Sequence, residues 1–243
     1  LKDYVSPPNP AYWDKWPSQD LPGSPQTGLN IELLHSLYLD YLHQLPAPVQ
    51  IWGEKAILSL KEGAKSFQSV NLPPIVCKNS PTLADSGERV SDTIASGIRK
   101  GFIAGPFKDI PLEGFRSNTM TGIKQKDKIR LVMDLSRPEK ECYNKNVIPN
   151  SSRSVSMSSP RLFSYSLLES GPGAVMSKHD WCDAYKNIPV RVEDLRLQGF
   201  SWLDRYFVEL SLVFGSVNSV EAFDNLGELV LSLACIFSGF PRS

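Results

Sequence analysis

The stretch Lys178–Val190, KHDWCDAYKNIPV, sets the strongest condition on what this chain can fold into. Two carboxylates, Asp180 and Asp183, stand three residues apart, followed by the small Ala184, the aromatic Tyr185, and then Ile188 and Val190 in alternation. Alternation is the period of a strand. The segment therefore reads as two strand ends joined by a tight turn, so the chain must supply a sheet to carry it. A carboxylate at a strand end, beside a turn that presents backbone groups, suits a hard divalent cation such as magnesium. Two acids at this spacing also suit an ordinary surface turn, which is the commoner origin of an isolated pair.

With 243 residues the chain has room for one large domain or two small ones, and 41% apolar residues suffice for a core. Charge balances at 26 basic against 26 acidic residues, which excludes a uniform polycation. Its distribution is uneven. Residues 97–146 carry 11 Lys/Arg and 6 Asp/Glu, a net of +5, whereas residues 1–96 and 147–243 have nets of −3 and −2. A basic middle between acidic flanks predicts either a phosphate-facing patch or a solvated face. Cys77, Cys142, Cys182 and Cys235 are widely spaced and form no CxxC pair, which argues against a zinc site and a disulfide framework. Residues 1–30 hold no apolar segment of the signal-peptide kind, and the apolar run Leu229–Phe237 is too short to span a bilayer. The expected location is intracellular, in cytoplasm or nucleus, with no membrane partner.

Taken in order, residues 1–29 form an arm with six prolines and the rings of Tyr12, Trp13 and Trp16. Proline favours extended or turn conformations, and the rings predict docking on the body. A peptide- or sugar-binding aromatic surface is the functional alternative. From Asn30 to Leu45 the apolar residues recur at helical spacing, with Asn30 as N-cap and Pro46 and Pro48 as terminators. A second helix is expected over 53–67, loop over 69–87, and a short helix from Ser91 to Lys100. Together these make a helical region over 30–96.

Within 97–146, Ile123 and then Ile129, Leu131 and Met133 bracket a polar turn, the pattern of a β-hairpin. Lys124, Lys126, Lys128 and Arg130 alternate along it, so several project from one face. Such a cationic clamp suits a triphosphate, with Arg making bidentate contact and Lys point-charge contact. Beyond it come a Ser-rich loop over 144–159, a helix over 161–170, a strand over 174–180 that delivers Asp180, and a helix over 219–237 burying Leu226, Leu229, Val230 and Leu233. The fold class is mixed α/β.

Three segments carry a resemblance to one family. DWCDAYKNIPV resembles the first palm motif of reverse transcriptases, in the AYxxIPV form of retrotransposon enzymes. GFIAGPF (101–107) and TGIKQKDKIRLVMDLSRPEK (121–140) resemble the entry to the fingers and the fingers hairpin. SLVFGSVNSVEAF (211–223) resembles the second palm motif, departing from it at Val213 and Val220, where proline is usual or frequent. The nearest type is the RNA-dependent DNA polymerase of a DIRS-like, tyrosine-recombinase retrotransposon, and the match covers about residues 90–240. It implies reverse-transcriptase-like fingers over 97–146 and an incomplete palm over 147–243.

The resemblance also implies roles. Asp180 would be the catalytic carboxylate and metal ligand, for magnesium or alternatively manganese, weakly held. Tyr185 would lie under the sugar of an incoming nucleotide with Ala184 beside it, and Asp183 would face that nucleotide. Arg130, with Lys124 or Lys126, would hold its phosphates. Gly215 would let the backbone approach template and nucleotide. The partners implied are an RNA or DNA template-primer and a dNTP. The family's second carboxylate motif, an Asp-Asp pair, occurs nowhere in the 243 residues. The expectation is therefore a fragment, inactive alone, with the missing palm and thumb as a further partner. The alternative is a non-enzymatic protein derived from such a fragment, binding nucleic acid or, through the arm, carbohydrate. A hydrolase built on Asp180, Asp183 and a histidine fits least, because the three histidines show no triad spacing.

Overall fold

The computed structural model describes residues 10–66, 71–125, 128–146, 155, 160–173 and 180–239. Its architecture is mixed α/β, as the patterning implies. The helices are α1 (Ile31–Asp40), α2 (Ala47–Glu62), α3 (Gly87–Arg99), α4 (Tyr143–Asn146), α5 (Pro160–Ser170) and α6 (Val217–Ser238). The strands are β1 (Ile75–Val76), β2 (Ile103–Phe107), β3 (Arg116–Gln125), β4 (Lys128–Asp134), β5 (Gly199–Trp202) and β6 (Arg205–Glu209). No helix among the described residues is long and apolar enough to cross a membrane.

The sheet runs β1-β3-β5-β6-β2, with β4 hydrogen-bonded to the far half of β3. β3 is thus shared: its first residues pair in parallel with β1 and β5, and its last seven form the antiparallel hairpin with β4. Both faces of the central sheet are covered, so successive strand residues are buried on opposite sides. Phe207 joins the cluster formed with Val90, Ile94 and Ile98 of α3, while its neighbour Val208 joins Ala56, Leu60 and Leu226 of α2 and α6. A third cluster welds α1, α2 and α6 through Tyr38, Val49, Ile57, Leu229 and Leu233.

The helix predicted from Asn30 is present, and the Asn30 carboxamide oxygen accepts from the Leu33 amide at 3.0 Å. α2 begins six residues before the expected start. Pro46 and Pro48, read as terminators, are the N-cap and a first-turn residue of α2, where a missing N–H costs nothing. Ser91 does not open α3. It is buried mid-helix, accepts from the Trp202 indole N–H at 3.0 Å, and leaves the start to a 3₁₀ turn over Pro81–Ser86. α6 matches its periodicity, with Leu226, Leu229 and Leu233 buried and Val230 half-buried. The aromatic arm docks: Trp13 and Trp16 pack on Phe207, Arg205 lies 5.1 Å over the Trp13 ring, and Gln19 pairs with Gly105 of β2. The expected strand over 174–180 lies, but for Asp180, outside the described residues.

Tyr143 adds a pH dependence. Its ring is buried, and burial raises the hydroxyl's pKa above the ordinary tyrosine value while Ser66 shares a 2.8 Å hydrogen bond with it. The fold accommodates the neutral form. Its contribution is therefore complete below the unfolded pKa of about 10 and is lost as pH rises toward the folded value. Melting temperature should fall more steeply above pH 10 in the native chain than in Tyr143→Phe. Parallel slopes would remove Tyr143 from the account.

Candidate functional site

The turn after Asp180 is built by local hydrogen bonding. Asp183 adopts the left-handed conformation (φ 52°, ψ 33°), one of the few non-glycine residues that tolerates it. Its carbonyl then accepts from the Lys186 amide at 2.7 Å, and a 3₁₀ turn runs Ala184–Asn187. The Asn187 carboxamide donates to the Cys182 carbonyl at 3.0 Å, closing the turn on itself. Ile188, Pro189 and Val190 are buried behind it. The Leu212 amide donates to the Ile188 carbonyl at 2.9 Å and the Val190 amide to the Leu210 carbonyl at 2.9 Å, while Val190 also bridges to Ala64 after α2. The turn is thereby anchored between two elements distant in sequence.

In front of it opens a cavity of about 780 Å³, walled by α3, β4, the Asp180–Lys186 turn and the 213–214 segment. Five of the expected site residues line it: Asp180, Asp183, Ala184, Tyr185 and Arg130. Lys124 does not line it. The hairpin register pairs Lys124 with Ile129 and Ile123 with Arg130, which puts Lys124 and Arg130 on opposite faces. Alternation along the hairpin therefore does not gather Lys124 and Arg130 on one face. Lys126 lies outside the described residues. Gly215 is beside the cavity rather than in its wall. Its φ of 98° serves a close approach to the chain itself, since a Cβ there would sit 2.6 Å from the Met133 carbonyl of β4.

The cavity floor is aromatic. Tyr185 meets Phe214 edge-on at 4.7 Å and Phe223 at 5.3 Å, and Phe223 meets Trp181 at 5.4 Å. Burial raises the Tyr185 pKa, keeping its hydroxyl neutral. The Arg130 guanidinium lies 4.4 Å over the Phe214 ring, a cation–π contact that fixes its direction at the rim. In the sequence Phe214 and Phe223 stand out only as members of the 211–223 motif. Their ring contacts join residues that no local pattern connects.

Two ion pairs complete the wall. Lys186 bonds Glu209 on β6. The Lys100 ammonium, one residue beyond α3, donates to the Asp183 carboxylate at 2.8 Å, and that hydrogen bond raises its pKa. Sequence reasoning missed Lys100, since a single lysine ending a helix carries no signal of a partner 83 residues away. As a metal centre the residues fit poorly. Asp180 is an exposed carboxylate, Asp183 is held by Lys100, and no group of three His, Cys, Asp or Glu able to hold a metal assembles among the described residues.

No protein-family model and no curated protein matches the chain. Among solved structures it is similar to the prototype foamy virus protease-reverse transcriptase (CSH mutant), with a TM-score of 0.45 and 15% identity over 89% of this chain. It is also similar to the foamy viral protease-reverse transcriptase dRH in complex with double-stranded DNA, with a TM-score of 0.41 and 14% identity over 88% of this chain. The chain spans 26% and 37% of those two proteins, respectively.

Proposed function

We propose that this chain is the fingers and part of the palm of a retroelement reverse transcriptase, of DIRS-like type, binding nucleic acid and nucleotide. The observation that supports it is the shared cavity. Arg130 from the basic hairpin and the Asp180–Tyr185 turn, separate motifs in the sequence, face one space large enough for a nucleotide. The arrangement offers what a nucleotide needs: an aromatic floor for a sugar or base, a guanidinium for phosphate and a carboxylate at the mouth. Asp180 is the residue that would anchor magnesium or manganese, and with a single carboxylate outside the ion pairs found among the described residues the hold is weak, because magnesium gives up its water reluctantly. The metal would supply charge neutralisation at phosphate. The side chains themselves bind and orient the ligand.

Binding to a template-primer should be weak and salt-sensitive, because contacts to phosphate release counterions. Fluorescence anisotropy across a salt series tests this. Arg130→Ala should weaken binding equally across sequences and lower the salt slope by about 1. An affinity unchanged from low to high salt excludes the 97–146 patch as the contact.

A further inference from the structure

We infer that Lys100 is the phosphate-contacting ammonium of this cavity, held ready on Asp183 until a phosphate-bearing ligand takes it over. The inference rests on the nucleotide-binding reading above and assigns to the end of α3 a contact that the hairpin motif assigns to a hairpin lysine.

Three observations lead to it. The first is availability. Of the cations lining the cavity, Lys186 is committed to Glu209 in a pair whose side chains are only 23% and 10% exposed, Arg130 is stacked on Phe214, and Arg89 is exposed on the part of α3 that also brings Asp92 to the wall. Lys124 is outside the wall. Lys100 sits in the wall with its side chain 51% exposed, paired to an Asp183 side chain that is 36% exposed.

The second is magnitude. An ion pair this exposed holds by a factor of about five at most, because water screens it and two long side chains must be ordered. A charge-assisted hydrogen bond to phosphate in a partly enclosed cavity is worth about tenfold or more. The exchange from carboxylate to phosphate therefore runs toward the ligand, and the carboxylate meanwhile keeps the ammonium aimed at the cavity.

The third is the surface that Lys100 ends. Arg89, Thr93, Ser96 and Lys100 recur at helical spacing, and all four line the cavity. The stripe reads cation, hydroxyl, hydroxyl, cation over about 16 Å of helix, and because the Thr93 hydroxyl donates to the Arg89 carbonyl at 2.8 Å, the donors it offers to phosphate oxygens are the two cations and Ser96. α3 also brings Asp92 to the wall, so the anion-binding end is the Lys100 end, where Arg130 stands on the facing element.

Calorimetric titration of the full chain with a nucleoside triphosphate, with the same nucleoside lacking phosphate, and with a single-stranded oligonucleotide tests the assignment. Thermal melts check that each variant is folded, which the exposure of Lys100 favours. Lys100→Ala should weaken the triphosphate about tenfold or more and leave the nucleoside unchanged, with Lys100→Arg recovering most of the loss. The loss should exceed that of Lys124→Ala at least about threefold. A loss confined to the oligonucleotide, with a lower salt slope, assigns the same contact to a polynucleotide backbone. Unchanged affinity for both phosphate ligands, or a Lys124→Ala loss equal to or larger than that of Lys100→Ala, overturns the inference while the nucleotide-binding reading stands. Absence of any binding by the native chain overturns that reading and this inference with it.

Discussion

Phe207→Ala lowers the stability of the chain by about 3–5 kcal/mol. Phe207 is fully buried in β6, stacked on Phe200 with ring centres 5.2 Å apart and planes 14° from parallel. Trp13 and Trp16 of the N-terminal arm lie 6.4 and 6.0 Å from the same ring. Truncation removes the transfer free energy of the ring and leaves a void between sheet, α3 and arm that none of them can fill without moving. Against a typical total of about 5–15 kcal/mol, the loss is a large fraction. Chemical denaturation measures it: the midpoint should fall with the slope unchanged, and tryptophan emission should shift red as the arm loosens. A loss under about 1 kcal/mol would show that the arm and α3 close over the site, and that this ring is not the centre of the packing.

The second large effect is an absence of activity. Primer extension by the isolated chain, with magnesium or with manganese, should give no template-dependent incorporation. A two-metal site holds its cations with carboxylates from more than one motif. Here Asp180 is an exposed carboxylate in the cavity wall, Asp183 is engaged by Lys100 at 2.8 Å, and the 243 residues contain no Asp-Asp pair. One carboxylate neither holds two cations nor aligns a primer terminus. Removing the ion pair by Lys100→Ala releases a second carboxylate, but from the same turn as Asp180 and not from a second motif, so incorporation should stay absent in that variant too. Template-dependent incorporation that disappears in Asp180→Asn would show that the chain completes its metal site by other groups.

What was legible in the sequence was what local spacing encodes. The β3–β4 hairpin follows from Ile129, Leu131 and Met133 beyond a polar turn, and α6 from Leu226, Leu229 and Leu233, because one face of each element must be buried, whereas Ile123, on Arg130's face, is exposed. Asn30 as a cap needed only the Leu33 amide three residues away. Pro46 and Pro48 were misread because a proline after one helix and a proline opening the next look alike within a short connection, and packing decided between them. The side on which each hairpin cation falls was also hidden. A change of one residue in pairing sends a side chain to the other face, and spacing along a single strand cannot specify that register.

By itself the sequence determined the helix capped by Asn30, α6 and the β3–β4 hairpin, and that Asp180, Asp183 and Tyr185 share one turn, because those relations span a few residues. Only the tertiary structure decided which cations meet that turn. It set Arg130 and Lys100 at the cavity and left Lys124 outside it. It brought Phe214 and Phe223 edge-on against Tyr185, and bound Lys100 to a carboxylate 83 positions on. These contacts depend on where the sheet carries each element once both of its faces are buried, a property of the whole chain rather than of any stretch of it.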